Sequence, residues 1–233
     1  MEDTGKSTKI SLSFLLMHFQ SNVTVIKRWL DQLHQAANGS SSVIYLAFGS
    51  LVRFSPQQIR EIADAVTPYP VLWSLDARSQ TYLNETFRQN SSRLILEWIP
   101  QRSILTHPAI RLFISHAGWN SLLEGVLATK PMLVWPRFGD QFSNSWFIQK
   151  KFKFGQSIYS GTQKNNYRIV PSQEISRIVK MMMQNEQFYV TKARRVKRIL
   201  DNSRKTTSRQ HLREISQIIW NAESKVPLQH TEL

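Results

Sequence analysis

Apolar residues along this chain fall into short unbroken runs that alternate with stretches of helical spacing. Residues 43–48 (V-I-Y-L-A-F), 71–75, 93–98, 111–115, 132–135 and 154–159 are such runs. They are too short for helices and lack polar alternation, the pattern of parallel strands covered on both faces. Between them, Ser55 caps a helix whose first residue is Pro56, with Ile59, Ile62, Ala63 and Val66 on one side and Pro68 and Pro70 as its stop. A second helix covers 120–128 with Leu122, Leu123, Val126 and Leu127, and a third opens at Asp140, where Phe142, Trp146 and Phe147 recur at four and five residues. Beyond Pro171 the spacing is helical only: Ile175, Ile178, Val179 and Met182, then 188–200, then Leu212, Ile215, Ile218 and Ile219. Met181–Met183 within this region reads as core packing.

Strands alternating with helices in this way predict an α/β fold, a Rossmann-like open parallel sheet with helices on both faces, followed by C-terminal helices. The chain divides into a lead-in or linker over 1–42, with a helical piece at 25–35 and a turn at 38–42, a sheet domain over 43–170, and helices packing on it over 171–233. Ligands of such sheets bind beyond the carboxyl ends of the strands. Four groups of polar residues fall there: Gly49-Ser50, Trp98, His116 and Asp140.

The segment His116-Ala117-Gly118-Trp119-Asn120-Ser121 is a small-residue turn leading from a strand into a helix, which leaves free backbone N–H groups at a positive dipole end and suits a phosphate. His116 reads either as a structural hydrogen-bonder or as a contact for that phosphate. Asn120 and Ser121 can cap the helix and still donate to the same anion. Glu124, one turn in, is either a dipole-stabilising surface residue or an acceptor for a ribose diol. Trp98 either packs as a core residue at a strand end or offers a face on which a nucleobase stacks. Asp140 and Gln141 suit a helix start or several sugar hydroxyls.

Composition narrows the chemistry. The 233 residues, 41% of them apolar, can fill a core, and the absence of cysteine removes disulfides, zinc–thiolate sites and thiol nucleophiles. No metal-ligand spacing, P-loop or nucleophile elbow occurs, and Gly49-Ser50 is too short for a dinucleotide fingerprint. The apolar run at 10–19 is too short to span a bilayer, and no small-residue cleavage site follows it. The net charge is +14, with 17 Lys and Arg against 6 Asp and Glu from Lys150 onward. Dispersed at helical spacing, these charges read as solvated helix faces rather than a nucleic-acid surface.

The stretch 98–141 (W-I-P-Q, H-P, H-A-G-W-N-S-L-L-E, P-M-L-V-W-P, G-D-Q) resembles the donor-binding signature of the UDP-dependent glycosyltransferases, the family of UDP-glucuronosyltransferases and plant glucosyltransferases. V-I-K-R-W-L-D-Q and S-S-V-I-Y-L-A-F-G-S are similar to its linker and the first strand of its C-terminal domain. The resemblance implies the C-terminal half of a GT-B fold and inverting transfer of a hexosyl or glucuronosyl group from UDP-sugar to a small-molecule acceptor. No metal or other cofactor is implied. It assigns Trp98 to the uracil, Gln101 to the nucleoside, and Glu124 to the ribose hydroxyls. His116, Gly118, Asn120 and Ser121 are assigned to the diphosphate with Ser50 in the facing loop, and Asp140 and Gln141 to the sugar. It places the general base in an N-terminal acceptor domain, and only 42 residues precede the first strand here. No catalytic residue is therefore expected in this chain, and its partners are a UDP-sugar and an acceptor, with a separate acceptor-domain chain or a homodimer as further expectations. A non-catalytic sugar-nucleotide-binding or dimerising module is the alternative, and a basic nucleic-acid binder a weaker one. The expected location is the cytoplasm, with a membrane surface as the alternative. Lys130 stands before Pro131 where the family commonly has glycine, a change expected to reshape that turn.

Overall fold

The structure, a computed structural model, describes residues 12–40, 42–161 and 167–206, with side chains for 23–40, 42–161 and 167–202. The elements run α1 (Leu12–Ala36), β1 (Val43–Ala47), α2 (Pro56–Val66), β2 (Val71–Ser74), α3 (Ala77–Gln80), α4 (Glu85–Gln89), β3 (Arg93–Leu96), α5 (Gln101–Leu105), β4 (Ile110–Ser115), α6 (Trp119–Leu127), β5 (Met132–Val134) and α7 (Gln141–Trp146). A π-helical turn (Phe147–Lys151), β6 (Gly155–Ser157), α8 (Ser172–Gln184) and α9 (Glu186–Thr206) follow. The expected helix over 212–219 lies outside the described residues.

All strand pairings are parallel and the order is β3-β2-β1-β4-β5-β6. The chain thus winds outward from β1 in one direction, returns, and winds outward from β4 in the other. The connections leave on opposite sides at β1 and β4, and a crevice opens beyond the carboxyl ends of these two strands.

The unbroken apolar runs explain the two-sided core. In β1, Ile44 and Leu46 face one layer with Val71, Trp73, Leu112 and Ile114, closed by α2 and α8. Val43, Tyr45 and Ala47 face the other with Leu72, Phe113 and Val134, closed by residues of α1, α5, α6 and α9. Ile26 and Leu30 of α1 are fully buried there. Ser55 accepts from the Gln58 N–H at 3.2 Å with Pro56 behind it, as expected for a helix start. Gln58, buried, holds both polar atoms of the Val170 backbone at 3.0 and 2.8 Å and so ties α2 to the chain entering α8.

The inner face of α7 is polar: Gln141, Asn144 and Ser145 are buried, whereas Trp146 and, in the π-helical turn that follows, Phe147 are exposed. Polar residues can line the inside because backbone groups receive them: Asn144 Nδ2 donates to the Ala117 carbonyl at 2.9 Å, and Gln141 Oε1 accepts from Arg137 N–H at 2.8 Å. Thr129 and Lys130 together form the turn before β5. Thr129 takes the left-handed conformation (φ 55°), and the N–H groups of Thr129 and Lys130 close the helix end onto Val126 and Gly125 carbonyls at 2.9 Å each. Lys130 Nζ turns inward to the carbonyls of His107 (2.9 Å) and Ile110 (2.8 Å). Burial, with Arg111 nearby, brings its amine down to about 8.

Candidate functional site

Two adjoining cavities occupy the crevice at the carboxyl ends of β1 and β4. One, of about 450 Å³, is lined by Gly49 and Ser50 after β1, Glu97 and Trp98 after β3, Gln101 of α5 and Ser121 of α6. The other, of about 350 Å³, is lined by Gly49, Ser50, His116, Gly118, Asn120, Ser121, Phe138 and Gln141. Gly49, Ser50 and Ser121 belong to both, so the two form one elongated cleft.

The second cavity is built around the start of α6. Gly118 is the N-cap and no side chain caps the helix, so its first N–H groups face the cavity without an internal acceptor. Ala117 before it is buried and held at φ 66°, a left-handed conformation costly for a residue with a β-carbon, and the Asn144 bond to its carbonyl fixes it there. The His116 ring fits between two glycines. A β-carbon on Gly49 would lie 2.8 Å from His116 Cε1, and one on Gly118 only 2.4 Å from His116 Nε2. Gly49 is also at φ 73°, so turn geometry and ring space both require glycine at this position. Burial pushes the imidazole below its ordinary value; Asp140 and a hydrogen bond to the Ala47 carbonyl pull it partly back. His116 is therefore biased towards its neutral form and sits beside free helix-start amides.

The first cavity has a flat wall and a polar corner. Trp98 is 53% exposed, which removes the core reading, and the strand expected to contain it stops at Leu96. In the corner, Gln101 Nε2 donates to Glu124 Oε2 at 2.7 Å and to Ser121 Oγ at 3.0 Å, while Gln101 Oε1 accepts from the Tyr45 hydroxyl at 3.3 Å. The carboxylate of Glu124 thus stands beside the cavity, oriented by an amide from another helix.

Eight of the ten expected residues line the cleft directly, and Glu124 joins it through Gln101. Asp140 is placed differently: it makes no capping bond, and its Oδ2 accepts from Asn144 Nδ2 at 2.8 Å. Three supporting residues were not singled out as ligands in the sequence: Tyr45, Gly49 and Asn144. Gly49 falls at a strand end together with Ser50, Asn144 lies four residues after Asp140 on one helix face, and Tyr45 carried no signal. Among the described residues no cluster of three or more His, Asp or Glu could hold a metal ion, and no helix is long and apolar enough to cross a membrane.

Comparison with known proteins establishes the family of the chain. The family model described as UDP-glucoronosyl and UDP-glucosyl transferase matches residues 26–204, more than half of the chain. The chain belongs to this UDP-glycosyltransferase family. An anthocyanidin 3-O-galactosyltransferase of Actinidia chinensis is 39% identical over 130 residues, covering 54% of this chain and 28% of the relative. A UDP-glucose flavonoid 3-O-glucosyltransferase of Fragaria ananassa is 33% identical over 197 residues, 77% of this chain and 40% of the relative. Among solved structures, Medicago truncatula UGT71G1 complexed with UDP-glucose superposes with a TM-score of 0.67 at 30% identity, covering 79% of this chain and 40% of that one. This UDP-glycosyltransferase chain therefore spans well under half the length of these relatives. They differ between galactosyl and glucosyl transfer, so membership leaves the sugar open.

Proposed function

We propose that this chain forms the UDP-sugar-binding half of a glycosyltransferase that moves a hexosyl or glucuronosyl group from UDP to a small-molecule hydroxyl. The observation that carries the reading is the single cleft in which His116 and the uncapped start of α6 stand next to an exposed tryptophan and a tethered carboxylate. A diphosphate suits the first pair and a nucleoside the second. On this reading the uracil stacks on Trp98 and Glu124, with Gln101, takes the ribose hydroxyls. The diphosphate rests on Gly118, Asn120, Ser121 and His116 opposite Ser50, and the sugar meets Asp140 and Gln141.

The reaction then proceeds by attack of the acceptor oxygen on the anomeric carbon. The bond from that carbon to the UDP oxygen breaks, its electron pair stays on UDP, and the acceptor proton passes to a base. This chain's contribution is electrostatic: amides fixed before the reaction face the charge that grows on the departing diphosphate. The base belongs to an acceptor domain, carried on the same polypeptide or on a partner chain, with α1 leading into the donor domain and α8 and α9 packing on it. The donor reading requires no metal, and the proposed setting is cytoplasmic.

The test is calorimetric titration of the purified chain with UDP and with UDP-glucose, beside a folded Trp98→Ala, Ser121→Ala double variant. Binding in the micromolar to millimolar range that the variant loses supports the reading. Equal binding by both proteins, or none by a folded wild type, overturns it.

A further inference from the structure

The large polar-ended residue of β1 stands out among its neighbours. Tyr45 is 1% exposed, and its ring stacks on Phe113 with centroids 5.2 Å apart and planes 10° from parallel. The hydroxyl of a buried tyrosine needs a partner, and the one found is Gln101 Oε1 at 3.3 Å. This bond faces the polar corner of the cleft. An amide can be turned end for end, and the two orientations of Gln101 are chemically opposite. In the observed one, Nε2 donates to both Glu124 Oε2 (2.7 Å) and Ser121 Oγ (3.0 Å). In the reverse one, an amide oxygen would confront the Glu124 carboxylate, two acceptors with no proton between them.

We propose that Tyr45 is a positioning residue for the ribose subsite, fixing the Gln101 amide and, through it, aiming the Glu124 carboxylate at the hydroxyls of a bound nucleoside. The inference rests on the donor-site reading above. Burial, with the negative charge of Glu124 nearby, pushes the phenol of Tyr45 far up, so it keeps the proton that it donates to Gln101 Oε1. Three elements are joined by this relay: the rigid centre of the sheet through β1, α5 through Gln101, and α6 through Ser121 and Glu124. The same helix that would hold the diphosphate thus carries the ribose acceptor, and Tyr45 sets their common register from below. Tyr45 lines the cavity, but its hydroxyl is spent on Gln101, so its influence on the ligand is indirect.

The experiment measures binding of UDP and of 2′,3′-dideoxy-UDP to wild type, Tyr45→Phe, Gln101→Ala and the double variant. Tyr45→Phe removes one neutral hydrogen bond and no volume, and the expected loss of UDP affinity is about three- to tenfold. The dideoxy nucleotide, which offers Glu124 no hydroxyl, is expected to bind wild type and Tyr45→Phe alike. Because Tyr45 acts through Gln101, the double variant is expected to bind UDP no worse than Gln101→Ala alone. An equal loss for both nucleotides would make Tyr45 merely structural and overturn the proposal, as would additive losses in the double variant. If wild type binds UDP and Tyr45→Phe matches it, the donor site stands and only this proposal falls. If folded wild type binds no UDP, both fall.

Discussion

The seat of His116 between two glycines allows a test by a single added carbon. Gly118 has ordinary extended angles (φ −60°, ψ 148°), so Gly118→Ala carries no conformational strain and its effect is steric. The new β-carbon would stand 2.4 Å from His116 Nε2, 3.1 Å from Cε1 and 3.2 Å from Cδ2, an overlap of roughly 1 Å against ordinary contact distances. The same Cε1–Nε2 edge of the imidazole also lies close to Gly49, where a β-carbon would stand 2.8 Å from Cε1 and 2.9 Å from Nε2, so the ring has little room to shift along that edge. Keeping the ring in place costs about 1–3 kcal/mol of overpacking. Turning it out gives up the bond to the Ala47 carbonyl, about 1 kcal/mol, and moves the ring away from the start of α6. A hydrogen bond to a charged phosphate contributes about 1.5–3 kcal/mol, so the expected loss in UDP-glucose affinity is roughly ten- to 150-fold. Calorimetric titration gives the affinity and thermal unfolding confirms that the variant is folded. A folded Gly118→Ala protein that binds UDP-glucose within twofold of wild type would refute the reasoning.

Three further outcomes are expected. Trp98→Ala should weaken UDP binding by about 1–3 kcal/mol, the range for a base stacked on an aromatic ring, while the melting temperature stays within a degree or two because the ring is half exposed; equal UDP affinity would remove Trp98 from the site. His116 is held below its ordinary value, so the unfolded chain takes up this proton first as the medium is acidified: its contribution to stability is complete above about pH 6.5 and is lost as pH falls through that value towards the lower folded one. A diphosphate beside the ring favours the protonated form, so UDP-glucose affinity should rise between pH 7.5 and 5.5 in wild type and stay flat in a folded His116→Gln variant. UDP-glucose is the better probe for this titration because a terminal phosphate itself titrates near pH 6. Thr129, a β-branched residue at φ 55°, should be relieved by Thr129→Gly, which is expected to stabilise the chain by about 1 kcal/mol and raise the melting temperature by about 2–4 °C; a lower melting temperature would show that the turn is not strained.

The sheet was legible because parallel strands buried on both faces must be apolar throughout, and residues 43–47, 71–74, 110–115 and 132–134 are close to that limit. Their strand order places Ser50 and His116 across one crevice, which is why residues 66 positions apart could be grouped by strand ends alone. Helices as short as α3, α4 and α5 left no trace, since four or five residues barely complete one turn of a 3.6-residue period. The inner face of α7 was not legible for another reason: it is polar, and backbone carbonyls and N–H groups from the neighbouring loops engage Asn144 and Gln141 there. Trp98 admitted a core or a stacking role from sequence, and its exposure removes the first. The link from Tyr45 through Gln101 to Glu124 spans 56 and 23 residues, and no local pattern encodes a contact at such separation.

The central claim is that one cleft holds both ends of a sugar nucleotide, and a crystal structure of this chain with UDP tests it most directly. The account predicts the uracil against Trp98, the ribose hydroxyls on Glu124 and the diphosphate at the N–H groups that open α6, with His116 unmoved between Gly49 and Gly118. A nucleotide bound the other way round, or bound outside these two cavities, would contradict it.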